Sequence, residues 1–110
     1  SYGNCYKALK DNGILINQHE SPYYSEDALA MMRAHRKIAS TFEVAKVYQA
    51  HIPSYPSGHW LFGFASKGLN PQTDVSAWNK LNIKTKYYNT ELHDGCFKLP
   101  NYVLDMLEKH

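Results

Sequence analysis

Hydrophobic and polar positions alternate with two different periods along this chain, and the change of period marks its elements. Tyr2, Cys5, Tyr6 and Leu9 fall at i, i+3, i+4 and i+7, one face of a helix that starts close to Ser1, its only available cap. Lys10 suits the C-terminal end of that helix, and Gly13 supplies a stop signal. Ile14-Leu15-Ile16-Asn17-Gln18 is a short run of strand formers, and a near-continuous apolar strand after a helix predicts a parallel sheet covered on both faces. Ser25 reads as the N-cap of a second helix, with Glu26 and Asp27 in its first turn. Ala28, Met31, Met32, His35, Ile38, Ala39 and Phe42 trace its apolar stripe, on which His35 reads as a hydrogen-bonded, half-buried side chain.

The period then changes to two. Glu43 to Ile52 predicts a strand, and His59 to Lys67 its antiparallel partner, with Trp60, Phe62 and Phe64 on one face and Gly63 and Ala65 on the other. Between them lies Pro53-Ser54-Tyr55-Pro56-Ser57-Gly58, whose two prolines lack backbone donors and have no place in a paired central strand. Asp74 or Ser76 caps a short helix through Leu81 with Trp78 inward, and Asn89 or Thr90 caps another running to Phe97. Pro100 suits the first turn of a last helix bearing Val103, Met106 and Leu107. The order of elements predicts an α/β fold with a mixed sheet ending in an antiparallel hairpin, followed by C-terminal helices.

Composition narrows the function classes. The 110 residues form one domain with room for a single core. A net charge of +2 from scattered basic residues gives no nucleic-acid footprint. No stretch reaches the ~20 apolar residues of a membrane span, and the first residues do not read as a signal-peptide pattern. Cys5 and Cys96 lack CxxC spacing and read as free, buried thiols of a reducing compartment, with a disulfide between them as the weaker alternative. The six histidines show no metal spacing, and GxSxG, P-loop and GxGxxG patterns are missing, so no metal or cofactor is predicted.

What remains is a stiff loop presenting a phenol at Tyr55 and an indole at Trp60, which suits the wall of a small-molecule site. A Tyr-Pro contact that only pins a hairpin explains the same spacing. Gln18 and Glu20 stand at the C-terminal end of the first strand, where open α/β sheets bind ligands; the plainer explanation is a strand ending in solvent.

Three stretches in order carry a family resemblance: Leu9 to Pro22; Ile52 to Gly58 with Trp60 and Ala65-Ser66-Lys67; and Tyr87 to His93 with Phe97-Lys98-Leu99-Pro100. Together they resemble the C-terminal part of spermidine synthases, polyamine aminopropyltransferases, and Ile-Pro-Ser-Tyr-Pro-Ser-Gly is the most specific of them. The resemblance implies a Rossmann-like, class I methyltransferase-type fold, of which residues 1–110 form the C-terminal part of the catalytic domain. The N-terminal β-domain and the Gly-rich donor-binding half would lie outside these residues, and the catalytic aspartate, on an Asp-Ser-Ser/Thr-Asp loop, would stand just upstream of Ser1.

The implied activity is aminopropyl transfer from the co-substrate decarboxylated S-adenosylmethionine to putrescine or a related diamine, giving spermidine and methylthioadenosine. By the same resemblance Tyr55 holds the attacking amine, Gln18 lines the diamine site, Trp60 walls the methylene chain and Glu20 counters the distal ammonium. No catalytic residue falls in the chain itself, which is expected to be inactive alone. A cytoplasmic homo-oligomer is the expected state, associating through the open edge of the Ile14–Gln18 strand. A reading from another class is a non-catalytic binding or oligomerisation module built on the same fold.

Overall fold

A computed structural model describes residues 1–19, 21–72 and 76–108. Helix α1 (Tyr2–Ala8) is capped by the Ser1 hydroxyl, which accepts from the Asn4 amide at 3.4 Å. It ends four residues short of the glycine stop signal, because Leu9 is already extended and Lys10 to Gly13 close a separate turn. Strand β1 (Ile14–Gln18) follows, then helix α2 (Ser25–Thr41). Ser25 is not the cap of α2. The ladder starts at the Tyr24 carbonyl, which accepts from the Ala28 amide, so Ser25 is already helical and no side chain caps the end.

Strands β2 (Val44–His51) and β3 (His59–Ser66) form the expected hairpin, with β3 in the middle of a sheet ordered β1-β3-β2. Both pairings are antiparallel, so β1 and β2 run the same way on either side of β3. Parallel pairing, which the helix-strand order predicted for β1, is not found among the described residues, where the outer edge of β1 is open. The alternation in β3 places Leu61, Gly63 and Ala65 toward α2 and Trp60, Phe62 and Phe64 on the reverse face.

The core forms where α2 crosses the first of these faces. Met31, Val47, Leu61 and Val103 are buried together, with Met32, Leu99, Met106 and Leu107 packed around them. Ile38, Phe42 and Ala65 make a second cluster, against which Tyr2, Tyr6 and Leu9 dock α1. Ala39, which the helical period put on the same stripe, is exposed; His35 is half-buried. Lys67 ties the two ends together, donating to the Leu9 carbonyl at 2.6 Å while its ammonium sits 4.6 Å from the Tyr6 ring centre.

Aromatic side chains cover part of the reverse face. Phe62 stacks on Tyr48 at 5.2 Å, and Phe97 leans on Tyr48 and Phe64. Phe97 is brought there by helices α3 (Ser76–Leu81) and α4 (Thr90–Gly95) and their connections. Asn89 caps α4 through its side-chain oxygen, and Trp78 packs edge-on against Tyr88 at 5.0 Å. Asp74, the other expected cap of α3, lies outside the described residues. Helix α5 (Asn101–Glu108) starts after Pro100, whose carbonyl accepts from Val103 and Leu104; the proline stands before the first turn rather than in it. Cys5 and Cys96 are free thiols, but both are half-buried rather than buried.

Candidate functional site

The Pro-rich loop between β2 and β3 is rigid because its own backbone closes it. Ile52 donates to Gly58 at 2.8 Å, Gly58 to Tyr55 at 3.1 Å and Tyr55 to Ile52 at 3.0 Å. The chain turns through left-handed backbone at Ser57 and Gly58, both at φ +68°. Glycine takes that conformation freely; a serine there costs roughly 1–2 kcal/mol. The Ser57 hydroxyl offsets the strain through bonds to Ser21 at 2.7 Å and to the His59 carbonyl at 3.2 Å.

Trp60 is fixed next to this loop by its indole N–H, which donates to the Pro56 carbonyl at 3.0 Å. Tyr55 packs edge-on against it at 5.3 Å and remains 47% exposed. Gln18 is opposite Phe62 in the β1–β3 register, so it shares a sheet face with Phe62 and with Trp60 two residues away. The Tyr55 hydroxyl and the Gln18 amide make no hydrogen bond to the described residues. Two polar groups on well-held backbone are thus unclaimed among the described residues, on one side of the molecule. Glu20 lies outside the described residues.

The apolar cavity of about 330 Å³ is elsewhere. It opens on the same sheet face but is lined by Ile16, Tyr48, Phe64, Tyr88 and Phe97, without Tyr55, Trp60 or Gln18. Two of its polar side chains are engaged: the Tyr88 hydroxyl meets His93 Nδ1 at 2.9 Å, and His93 Nε2 meets the Pro71 carbonyl at 2.6 Å. These bonds tie Tyr88 to His93 within the segment and His93 to the turn that follows β3. Gln18 borders a smaller cavity of about 140 Å³ beside Met31 and Ala34 of α2.

Two histidines that the sequence did not single out fix the surroundings. His19 is 3% exposed and lies over Gly63, where a Cβ would come 2.8 Å from its Nε2. Its Nδ1 accepts from the Asn17 amide at 3.2 Å, which leaves the hydrogen on Nε2 without a partner. Burial, then the charge of His35, pushes its pKa down to about 4, so the ring is neutral at pH 7. His59 is held at both nitrogens, donating from Nε2 to Gln49 Oε1 at 2.8 Å and accepting at Nδ1 from the Tyr102 hydroxyl at 2.9 Å. Its pKa is also lowered, by burial and then by His51. A glycine amid the aromatics of β3 was the available signal for His19; the partners of His59 come from α5 and β2, which no local pattern reveals.

The spermine/spermidine synthase domain family matches residues 1–77, the stretch that contains α1, β1, α2 and the whole hairpin with its loop. The chain belongs to that family. A polyamine aminopropyltransferase of Clostridium perfringens is 68% identical over 108 residues, covering 97% of this chain and 38% of that protein. The crystal structure of spermidine synthase from Thermotoga maritima superposes with a TM-score of 0.86 at 40% identity, over 96% of this chain and 38% of the other. A spermidine synthase structure in complex with the transition state analogue AdoDATO matches with the same TM-score and identity, over 96% of this chain and 37% of the other. This member of the spermine/spermidine synthase family therefore spans about 38% of the length of the relatives it matches. The Rossmann-like fold that its motifs implied is the fold of those structures.

Proposed function

We propose that residues 1–110 are the C-terminal part of the catalytic domain of a spermidine synthase and supply the diamine side of its site. The reaction is an in-line displacement: the neutral amine of putrescine attacks the carbon next to the sulfonium of decarboxylated S-adenosylmethionine. A C–N bond forms, the C–S bond breaks, and methylthioadenosine leaves with the electron pair. Orientation of the two reactants can supply ~7–11 kcal/mol of such a barrier. A free diamine is protonated at neutral pH, so a base must take a proton from the attacking nitrogen; the family's aspartate has that role and is not among these residues.

In this reading the Tyr55 hydroxyl holds the attacking amine and the Gln18 amide lines the diamine site. The Trp60 face lies along the methylenes, where an aromatic ring accepts both CH₂ groups and a cationic end. Glu20 counters the distal ammonium through its charge. The observation that carries the reading is the pair of polar groups, on Tyr55 and Gln18, left without a hydrogen bond among the described residues and held by rigid backbone on one side of the sheet.

The test is a complete enzyme, the Clostridium perfringens relative with this segment exchanged for its own. Tyr55→Phe and Gln18→Ala are each expected to lower kcat/KM for putrescine about tenfold, the loss of one well-placed hydrogen bond. Full activity in either variant removes that residue from the site.

The expected assembly is a cytoplasmic homo-oligomer. Among the described residues no helix is long and apolar enough to cross a membrane. Ile14 and Ile16 are 45% and 46% exposed on a strand whose outer edge is unpaired among the described residues, which favours association of copies. Size-exclusion chromatography of the chain at high concentration should show dimers or larger species, and a monomer throughout overturns this.

A further inference from the structure

Two loops carry the proposed amine contacts: the end of β1 with Gln18, and the β2–β3 loop with Tyr55. They meet at a part-buried hydrogen bond, between Ser21 Oγ and Ser57 Oγ at 2.7 Å. Ser21 is fully buried, 0% exposed, while Ser57 stands on an exposed loop.

The surrounding bonds fix the direction of this contact. Ser57 Oγ donates to the His59 carbonyl at 3.2 Å, which uses its only proton. The proton between the serines therefore comes from Ser21, whose oxygen accepts in turn from the Tyr23 amide at 3.3 Å. The result is a chain from the Tyr23 amide through Ser21 and Ser57 to the His59 carbonyl, with Ser57 Oγ also accepting from the His59 amide at 3.4 Å. The Tyr23 ring packs beside this contact, edge-on against His59 at the start of β3 at 5.7 Å and 5.9 Å from Tyr102 of α5. The backbone of Ser57 adds an independent sign. At φ +68° glycine is the unstrained residue, and the serine is held there by its hydroxyl.

We infer that Ser21 and Ser57 are positioning residues, a hydroxyl clasp that locks the Gln18 strand end to the Tyr55 loop so that both ends of the amine contact move as one body. The inference rests on the diamine reading above and assigns the clasp to substrate specificity rather than to chemistry. Neither serine touches the amine. Without the clasp, Tyr55 and Gln18 keep their places in the fold but lose their fixed separation. A bridging diamine then has to order the two loops on binding, which weakens its affinity and leaves the sulfonium side unaffected.

The exchange enzyme again provides the test. Ser57→Gly deletes the hydroxyl while relieving the left-handed backbone, so its thermal midpoint should stay within a few degrees of the parent. Its KM for putrescine is expected to rise roughly three- to tenfold, with kcat within twofold and KM for the sulfonium co-substrate unchanged. Ser21→Ala should do the same, and the double variant should match the singles instead of multiplying them, because both remove one contact. Ser21→Thr, which restores a hydroxyl, should recover most of the loss. Where Ser21→Ala fails to fold, Ser57→Gly decides alone.

An unchanged putrescine KM in a folded Ser57→Gly enzyme overturns the clasp. Equal rises in both substrates' KM overturn it too, by showing general damage. If Tyr55→Phe and Gln18→Ala are also silent, the diamine reading falls and takes the clasp with it. If they weaken the enzyme and the serine variants do not, only the clasp is lost.

Discussion

Lowering the pH from 7 to 4 is expected to remove about 3 kcal/mol of stability through His19 alone. The folded ring has a pKa of about 4 against 6.5 in a free histidine, because burial disfavours its charged form. Well above pH 6.5 the ring is neutral in both states and contributes no pH dependence. Between 6.5 and 4 the unfolded chain takes up a proton that the folded chain does not, so stability falls as the pH falls. The geometry gives no easy relief. A charged ring needs a partner for Nε2, and that atom faces Gly63 with no acceptor in bonding distance among the described residues. Urea unfolding at pH 7 and pH 4, for the chain and for His19→Gln, isolates the effect. The parent should lose about 3 kcal/mol more than the variant over this range. Equal losses show that His19 is protonated in the fold without penalty.

Leu61→Ala is expected to destabilise the chain by roughly 2–5 kcal/mol, toward the upper end. Leu61 is 0% exposed on the central strand, packed with Met31 of α2, Val47 of β2 and Val103 of α5. Three elements converge on it from different directions, and no single shift fills the space it leaves. Its carbonyl also receives the His19 amide at 2.9 Å, so relaxation there would pull on the end of β1. Domains of this size have total stabilities of about 5–15 kcal/mol, so the variant approaches the limit of folding. Ile16→Ala, at a side chain 46% exposed, serves as the control and should cost less than about 1 kcal/mol. Denaturation midpoints with unchanged slopes measure both. A Leu61→Ala loss below about 1 kcal/mol contradicts this account of the core.

The elements were legible because each follows a local period. The ends of β1 follow the polar break at Asn17-Gln18, and β2 and β3 follow period-two runs on either side of two prolines. The family was legible for the same reason, since its motifs are contiguous stretches held by local backbone. Caps were less so. Ser25 and Gly13 carry the right signals, but neither ends its helix, because Tyr24 and Leu9 already occupy the boundary conformations.

The candidate site was legible only in part. Tyr55 and Trp60 stand out as aromatics beside prolines, and their edge-on contact is local in sequence. Gln18 joins their side through strand register, because β3 inserts between β1 and β2. Nothing in the residues of β1 alone specifies that neighbour. The clasp between Ser21 and Ser57 spans 36 positions, and serines in loops carry no pattern of their own.

By itself, then, the sequence determined the helices, the hairpin, the rigid Pro-rich loop and the family, all of which rest on interactions between residues close along the chain. The tertiary structure alone decided the strand order, the neutral His19 beneath the site, the double hold on His59 and the hydroxyl bond between the two loops. Those features depend on which distant side chains meet in a water-poor interior. There, burial sets a pKa and one hydrogen bond fixes a separation, effects that neither periodicity nor composition encodes.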